Sequence, residues 1–207
     1  DSLMLSLHPF NYTDEEYHIA LAINAAIHDE SPDPLEEWKH DDDTRSKEYT
    51  YYRDFVKRDG EVVAFVETYQ NQYAFHPQKY ECRMFVDPAH DAADIRPFIL
   101  DQMLERLRDE NLIALTSGML DDKPEAMRFF DEYGFFKTAE EKLSTLDVAG
   151  FDVEKFAPLL DRVRESGIVI ESLREFMAHD ADWERKVYDL TMTVNPDIPS
   201  TGEKHYP

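Results

Sequence analysis

Cysteine is almost missing from this sequence: Cys82 is the only one in 207 residues. That excludes an internal disulfide and any zinc site built on several thiolates. Basic residues are scarce too, 22 Lys or Arg against 45 Asp or Glu, for a net charge of −23. A nucleic-acid binder needs the opposite balance, because phosphate recognition draws on a surplus of Lys and Arg. Docking on an anionic membrane is excluded on the same ground. There is no apolar run long enough to span a bilayer and no signal-peptide pattern, so the expected location is the cytoplasm. No internal repeat or low-complexity segment stands out.

What is present is a globular composition, 42% hydrophobic and 13% aromatic. The length suits one domain of ordinary to large size with a substantial core. The acidic surplus leaves two readings open. One is a cationic partner, a small-molecule or peptide amine; the other is a surface kept soluble by excess carboxylate, as in salt-adapted proteins.

Alternation of apolar and polar residues predicts a strand over 2–8. Thr13-Asp14-Glu15-Glu16 reads as a capping box. It opens a helix with Ile19, Ile23, Ala26 and Ile27 on one face, broken by Ser31-Pro32-Asp33-Pro34. A short acidic helix or loop follows over 35–45. Strands are expected at 50–57 and 61–69, with Asp59-Gly60 as the hairpin turn between them. A further strand over 80–86 ends at Asp87-Pro88, and a helix striped by Ile95, Ile99, Met103 and Leu107 runs to Asn111. Then come a strand over 112–119, a helix over 123–133 stopped by Gly134, and a strand over 135–146. Asp152 caps a helix to Ser166, its regular start delayed by Pro158. A short strand at 168–171 and a second capping box, Ser172 with Glu175, lead into helices to about 194. The order β α α β β β α β α β α β α predicts an α/β (α+β) mixed sheet.

Two stretches make a family resemblance specific: YECRMFVDPAHDAADIRPFIL from Tyr80 and DDKPEAMRFFDEYGF from Asp121. With the element order, they resemble the GNAT superfamily of N-acetyltransferases. In that family a strand ending Val-x-Pro leads through an Arg-x-x-Gly-x-Gly loop into a helix. The amides there hold the pyrophosphate of acetyl-CoA, because a helix N-terminus favours an anion and glycine lets it approach. A later Ala-x-x-x-Tyr-x-x-x-Gly-Phe helix packs beside the cofactor, and its Tyr protonates the leaving thiolate. His76-Pro77-Gln78-Lys79-Tyr80 and the pattern from Leu146 to Phe176 are similar to a subgroup with two such domains in tandem.

The resemblance implies a GNAT-like core over 1–150, a helix-strand-helix extension over 151–195 that completes the fold, and a linker over 196–207. It implies acetyl-CoA as co-substrate, with Phe85, Val86, Ala92, Ala93, Arg96 and Phe130 beside it. The partner implied is a second GNAT domain or a second copy of the chain. Metal plays no part in that chemistry.

Against the family pattern, Asp91 stands where the loop Arg belongs, and Asp94 and Arg96 replace the two glycines. Both carboxylates are expected to cap the helix amides themselves and to repel a pyrophosphate, at a cost on the order of several kcal/mol in a poorly solvated cleft. The family's Tyr falls at Phe130, which has no proton to give. Tyr133 is the nearest phenol, about 60° further round the helix at ~100° per residue. Glu67 and Glu81, on central strands, are the candidates for a base that deprotonates an ammonium through water. The acidic run His40-Asp41-Asp42-Asp43 lacks the turn glycine and ligand spacing of a hard-metal loop. Cys82 reads as a small buried residue. Two functions follow: an acetyl-CoA-dependent N-acyltransferase acting on a primary amine, or a non-catalytic GNAT-fold domain with a structural, sensing or dimerising role.

Overall fold

In a computed structural model, which describes residues 4–194 apart from 30, 73 and 143, together with 197, the chain forms two compact units divided between Phe136 and Lys137. The first is built on five strands in sequential order: β1 (Leu5–Pro9), β2 (Tyr51–Arg58), β3 (Glu61–Tyr69), β4 (Lys79–Val86) and β5 (Ala114–Thr116). The first three pairings are antiparallel and β4–β5 is parallel. Mixed pairing of this kind is what early hairpins followed by a crossover helix require.

The hairpin from β2 to β3 turns on Asp59 and Gly60, both at positive φ (51° and 92°), the geometry that matches the twist of its strands. Side chains alternate across the sheet, so neighbours in sequence serve opposite cores. Phe55 and Phe65, directly paired, join Phe10, Tyr17, Ala20 and Ile23 under helix α1 (Asp14–His28). Val56, Ala64, Val66 and Cys82 face the other way, against Ile95, Ile99 and Met103 of helix α3 (Ile95–Arg106). Helix α2 (Leu35–Thr44) lies between α1 and β2 in the chain. Helix α4 (Pro124–Glu132) adds Ala126, Phe129 and Phe130 to a third cluster with Leu100.

Thr13 caps α1 as expected, accepting from the Glu16 amide. The predicted strand over 112–119 contracts to the three residues of β5, and α3 stops at Arg106, beyond which Asn111 takes a left-handed φ of 51°. The stretch over 135–146 forms no strand among the described residues. Nor does 168–171. Both have the local alternation or β-branching of a strand, but a strand exists only through the ladder it pairs with.

The second unit carries a 3-10 turn (Val153–Phe156) and helices α5 (Ala157–Glu165), α6 (Leu173–His179) and α7 (Trp183–Val194). Pro158 sits in the first turn of α5, which starts after the 3-10 turn, and the Ser172–Glu175 capping box is present in both directions. Residues 2–3, within the strand predicted over 2–8, and most of the predicted linker lie outside the described residues. Among the described residues no helix is long and apolar enough to cross a membrane.

Candidate functional site

Strand register assembles the site. On the face shared with Phe55 and Phe65, β2 presents Tyr51 and Arg53, β3 presents Tyr69 and Glu67, and β4 presents Glu81 and Arg83. These six side chains form a patch three strands wide. All but Glu81 line a cavity of about 500 Å³ that also touches Trp38, Asp41, Arg45, Tyr49 and Phe85.

Arg53 is the hub. Its side chain is 5% exposed, yet it meets Asp42 at 2.7 Å and Glu67 at 2.8 Å. Tyr17 donates to Asp42 at 2.8 Å and Tyr51 donates to Glu67 at 2.6 Å. Burial and the Glu67 charge raise the Tyr51 phenol well above its ordinary range, although Arg53 pulls the other way. Burial would lower the Arg53 pKa, but Tyr51, Glu67 and Asp42 outweigh it and raise it. A buried charge persists only when paired in this manner. The predicted acidic cluster is thereby partly explained: Asp42 is a structural counter-ion. No group of three or more potential metal ligands gathers among the described residues.

Glu67 and Glu81 are brought to one face but are both occupied. Glu81 accepts from the Tyr69 hydroxyl at 2.7 Å and from Asn71 at 2.6 Å. Burial, then the bond to Glu81 and its charge, raise the Tyr69 pKa. Tyr133 lies elsewhere, half exposed at the end of α4, its ring 4.7 Å from Phe129. Its hydroxyl has no hydrogen-bond partner among the described residues. Phe130 is buried edge-on to Phe135 at 4.8 Å.

The other half of the site is the end of β4 and the start of α3. β4 pairs with β5 only from Lys79 to Glu81, and Ser117 then reaches back to the Cys82 carbonyl at 2.6 Å. Beyond that point Arg83, Met84, Phe85 and Val86 have no ladder partner on that side among the described residues. The β4–β5 ladder ends at Glu81.

The loop that follows departs from expectation in one respect. Asp91 and Asp94 do not cap α3. Asp91 holds Arg96 in a two-pronged pair at 2.5 and 3.1 Å, and Asp94 pairs with Arg58 at 2.5 Å. A carboxylate beside a guanidinium gains more from that bond than from a backbone amide. The amides close by other means. Among the first four residues of α3, Ile95 donates to the Ala92 carbonyl, Phe98 donates to the Asp94 carbonyl, and Pro97 has no N–H. Only the Arg96 amide is left, although the turn amides of Ala92, Ala93 and Asp94 also have no protein acceptor among the described residues. Ala92 is half-buried against the α3 core and Ala93 is exposed.

A CoA pyrophosphate fits this loop poorly. Among the described residues the helix keeps one amide without an acceptor and the turn before it three more, and two carboxylates flank the position. No glycine lies between Gly60 and Gly118 to let a phosphate approach the backbone.

The hub and the paired tyrosines are what sequence reasoning did not single out. The signal was there: Tyr-x-Arg at 51–53, Glu-x-Tyr at 67–69 and Glu-x-Arg at 81–83 repeat a period of two on adjacent strands.

Comparison with known proteins places this geometry. The profile of the acetyltransferase (GNAT) family matches residues 13–135. No curated protein matches the chain. Among solved structures, a transcriptional regulator from Bacillus halodurans C-125 is similar at a TM-score of 0.52 and 13% identity, covering 69% of this chain and 99% of its own. The aminoglycoside N-acetyltransferase AAC(6')-Iy in complex with CoA is similar at 0.52 and 10%, covering 71% and 97%. A tandem GNAT protein from the clavulanic acid biosynthesis pathway is similar at 0.53 and 15%, covering 63% of this chain and 43% of that one. At these identities the likeness is one of fold.

Proposed function

The chain belongs to the acetyltransferase (GNAT) family, and within it we propose that this domain is non-catalytic, a GNAT fold kept for a structural, sensing or pairing role. The supporting observation is the start of α3, where Asp91 and Asp94 stand in a loop that has no glycine and Pro97 removes one helical N–H. A pyrophosphate needs backbone donors that it can approach closely, with no like charge beside them. The Asp91–Arg96 pair occupies the remaining side-chain charge. The rest of the site agrees. Glu67 is spent on Arg53 and Tyr51, so it is not poised as a base. Phe130 offers no proton to a leaving thiolate. The natural partner for such a domain is a second GNAT domain or a second copy.

Isothermal titration of the chain with CoA and with acetyl-CoA tests this directly. The expected result is no saturable heat at millimolar ligand. Binding in the micromolar range overturns the proposal.

One observation favours a second reading, transfer of an acetyl group from acetyl-CoA to a primary amine. The β4–β5 ladder ends at Glu81, which leaves the β4 edge beyond it unpaired on that side among the described residues, with β4 amides able to hold a thioester carbonyl. Under this reading the amine attacks directly, with no covalent intermediate and no metal. Micromolar acetyl-CoA binding in the titration, followed by acetyl transfer to an amine, is the result that supports it.

A further inference from the structure

The cavity beside the sheet patch has a charge balance unlike that of the chain. Acidic residues outnumber basic ones two to one overall. Around the cavity, however, Arg45, Arg53 and Arg83 stand against Asp41 and Glu67. An adjoining cavity of about 460 Å³ shares Arg45 and Tyr51 with it and adds Lys39 and Lys47 against Asp42 and Asp43.

Which charges remain available decides the ligand. Glu67 and Asp42 are consumed by Arg53 and by tyrosine hydroxyls, and Glu81 by Tyr69 and Asn71. The guanidiniums are less committed. Arg83 lies 3.8 Å from Glu81, with 56% of its side chain exposed. Arg45 gives Asp42 one nitrogen at 3.1 Å, and its Nε has no partner.

Both arginines are seated on aromatic rings. Arg45 lies 3.7 Å over the Tyr51 ring, and Arg83 lies 5.5 Å over the Tyr69 ring. The two rings are themselves neighbours at 5.9 Å, inclined by 33°. The result is a row, Arg45–Tyr51–Tyr69–Arg83, in which a guanidinium lies over each of two neighbouring arenes. Stacking orients a planar guanidinium and leaves its edge free for a planar oxyanion.

We propose that this cavity is a binding site for a flat aromatic carboxylate, its ring against the edges of Tyr51 and Tyr69 and its carboxylate on Arg83. The volume suits one small ligand. The inference does not depend on whether CoA binds, because neither the site nor its test involves the α3 loop.

The test uses 3-phenylpropionate and 3-phenylpropylamine, one skeleton with opposite charges, each titrated into the intact chain and followed by calorimetry. The acid is expected to bind saturably, and the amine at least tenfold more weakly. Arg83→Gln removes an exposed side chain and is expected to weaken the acid about tenfold, the effect of one lost charge-assisted hydrogen bond, with an unchanged melting temperature. Arg45→Gln, which removes a positive charge at the far end of the row, is expected to weaken it by a smaller factor, and the Arg83 variant keeps the test valid if this one misfolds. Tighter binding of the amine, no binding of the acid at 10 mM, or wild-type affinity in the Arg83 variant overturns the proposal.

Discussion

Arg53 aims two of its three guanidinium nitrogens at one oxygen of Glu67, Nε at 2.9 Å and Nη2 at 2.8 Å, and gives the third to Asp42 at 2.7 Å. The hydroxyl of Tyr51 donates to the same Glu67 oxygen. One cation therefore ties α2 to β3 across β2. That arrangement explains why a carboxylate on a central strand, the natural suspect for a general base, is fixed as a counter-ion.

Removing the cation strands both anions. Arg53→Met is expected to cost about 3–5 kcal/mol, the usual penalty for breaking a buried pair from one side. Glu67→Gln leaves an acceptor for Arg53 and should cost distinctly less. Urea denaturation of the two variants measures the difference. Equal, small losses would mean that the network is solvated and the hub is ornamental.

The α3 loop can be rebuilt toward the family pattern. Asp94→Gly, Arg96→Gly and Pro97→Ala together restore a backbone donor and two glycines, and they remove one carboxylate. CoA binding by this triple variant is expected to become measurable by calorimetry and to exceed the wild type at least tenfold, about 1.4 kcal/mol. If both proteins are equally silent, the barrier to CoA lies elsewhere than in this loop.

The sequence made these departures visible because each is a matter of residue type at a fixed offset: Asp94 and Arg96 for glycine, Phe130 for tyrosine. It also disclosed the hairpin at Asp59-Gly60 and the capped start of α1, where local chemistry decides. The choice of partner by Asp91 and Asp94 was not legible. Arg58 is 36 residues from Asp94, and only the folded sheet brings them together. Arg53 escaped notice for a similar reason, since its two anions come from α2 and β3. The stretches over 135–146 and 168–171 show the converse, local strand character without a ladder to join.

The acidic surplus makes a prediction about salt. With a net charge of −23 and most carboxylates exposed, like-charge repulsion destabilises the compact state. Raising potassium chloride shortens the screening length from about 10 Å at 0.1 M to about 3 Å at 1 M. The melting temperature should rise by several degrees over that range, readable by differential scanning fluorimetry. A fall would indicate that surface ion pairs such as Lys39–Asp14 outweigh the repulsion.

Cys82 supplies a prediction in alkali. It is fully buried on β4, and burial pushes its thiol up to about 11 from an ordinary 9.0, with Thr68 pulling slightly the other way. The thiol stays protonated in the fold after the unfolded chain has begun to ionise. Below pH 9 both states hold the proton, and this group's contribution is intact. Between pH 9 and 11 the unfolded state releases it first, so stability falls as pH rises, by up to about 1.4 kcal/mol per pH unit. Tyr17, Tyr51 and Tyr69, all raised from 10.0, add losses of the same sign as pH rises from about 9. Between pH 9 and 10 the thiol and the tyrosines both contribute, and the comparison with Cys82→Ala isolates the thiol's share. Urea denaturation at pH 8, 9 and 10 is expected to show a steeper decline in the wild type than in Cys82→Ala. In the same window a thiol reagent such as dithionitrobenzoate should label the native protein only as fast as it unfolds. Rapid labelling of the folded chain would mean that the thiol is open to solvent, and parallel pH slopes would mean that its proton is not linked to folding.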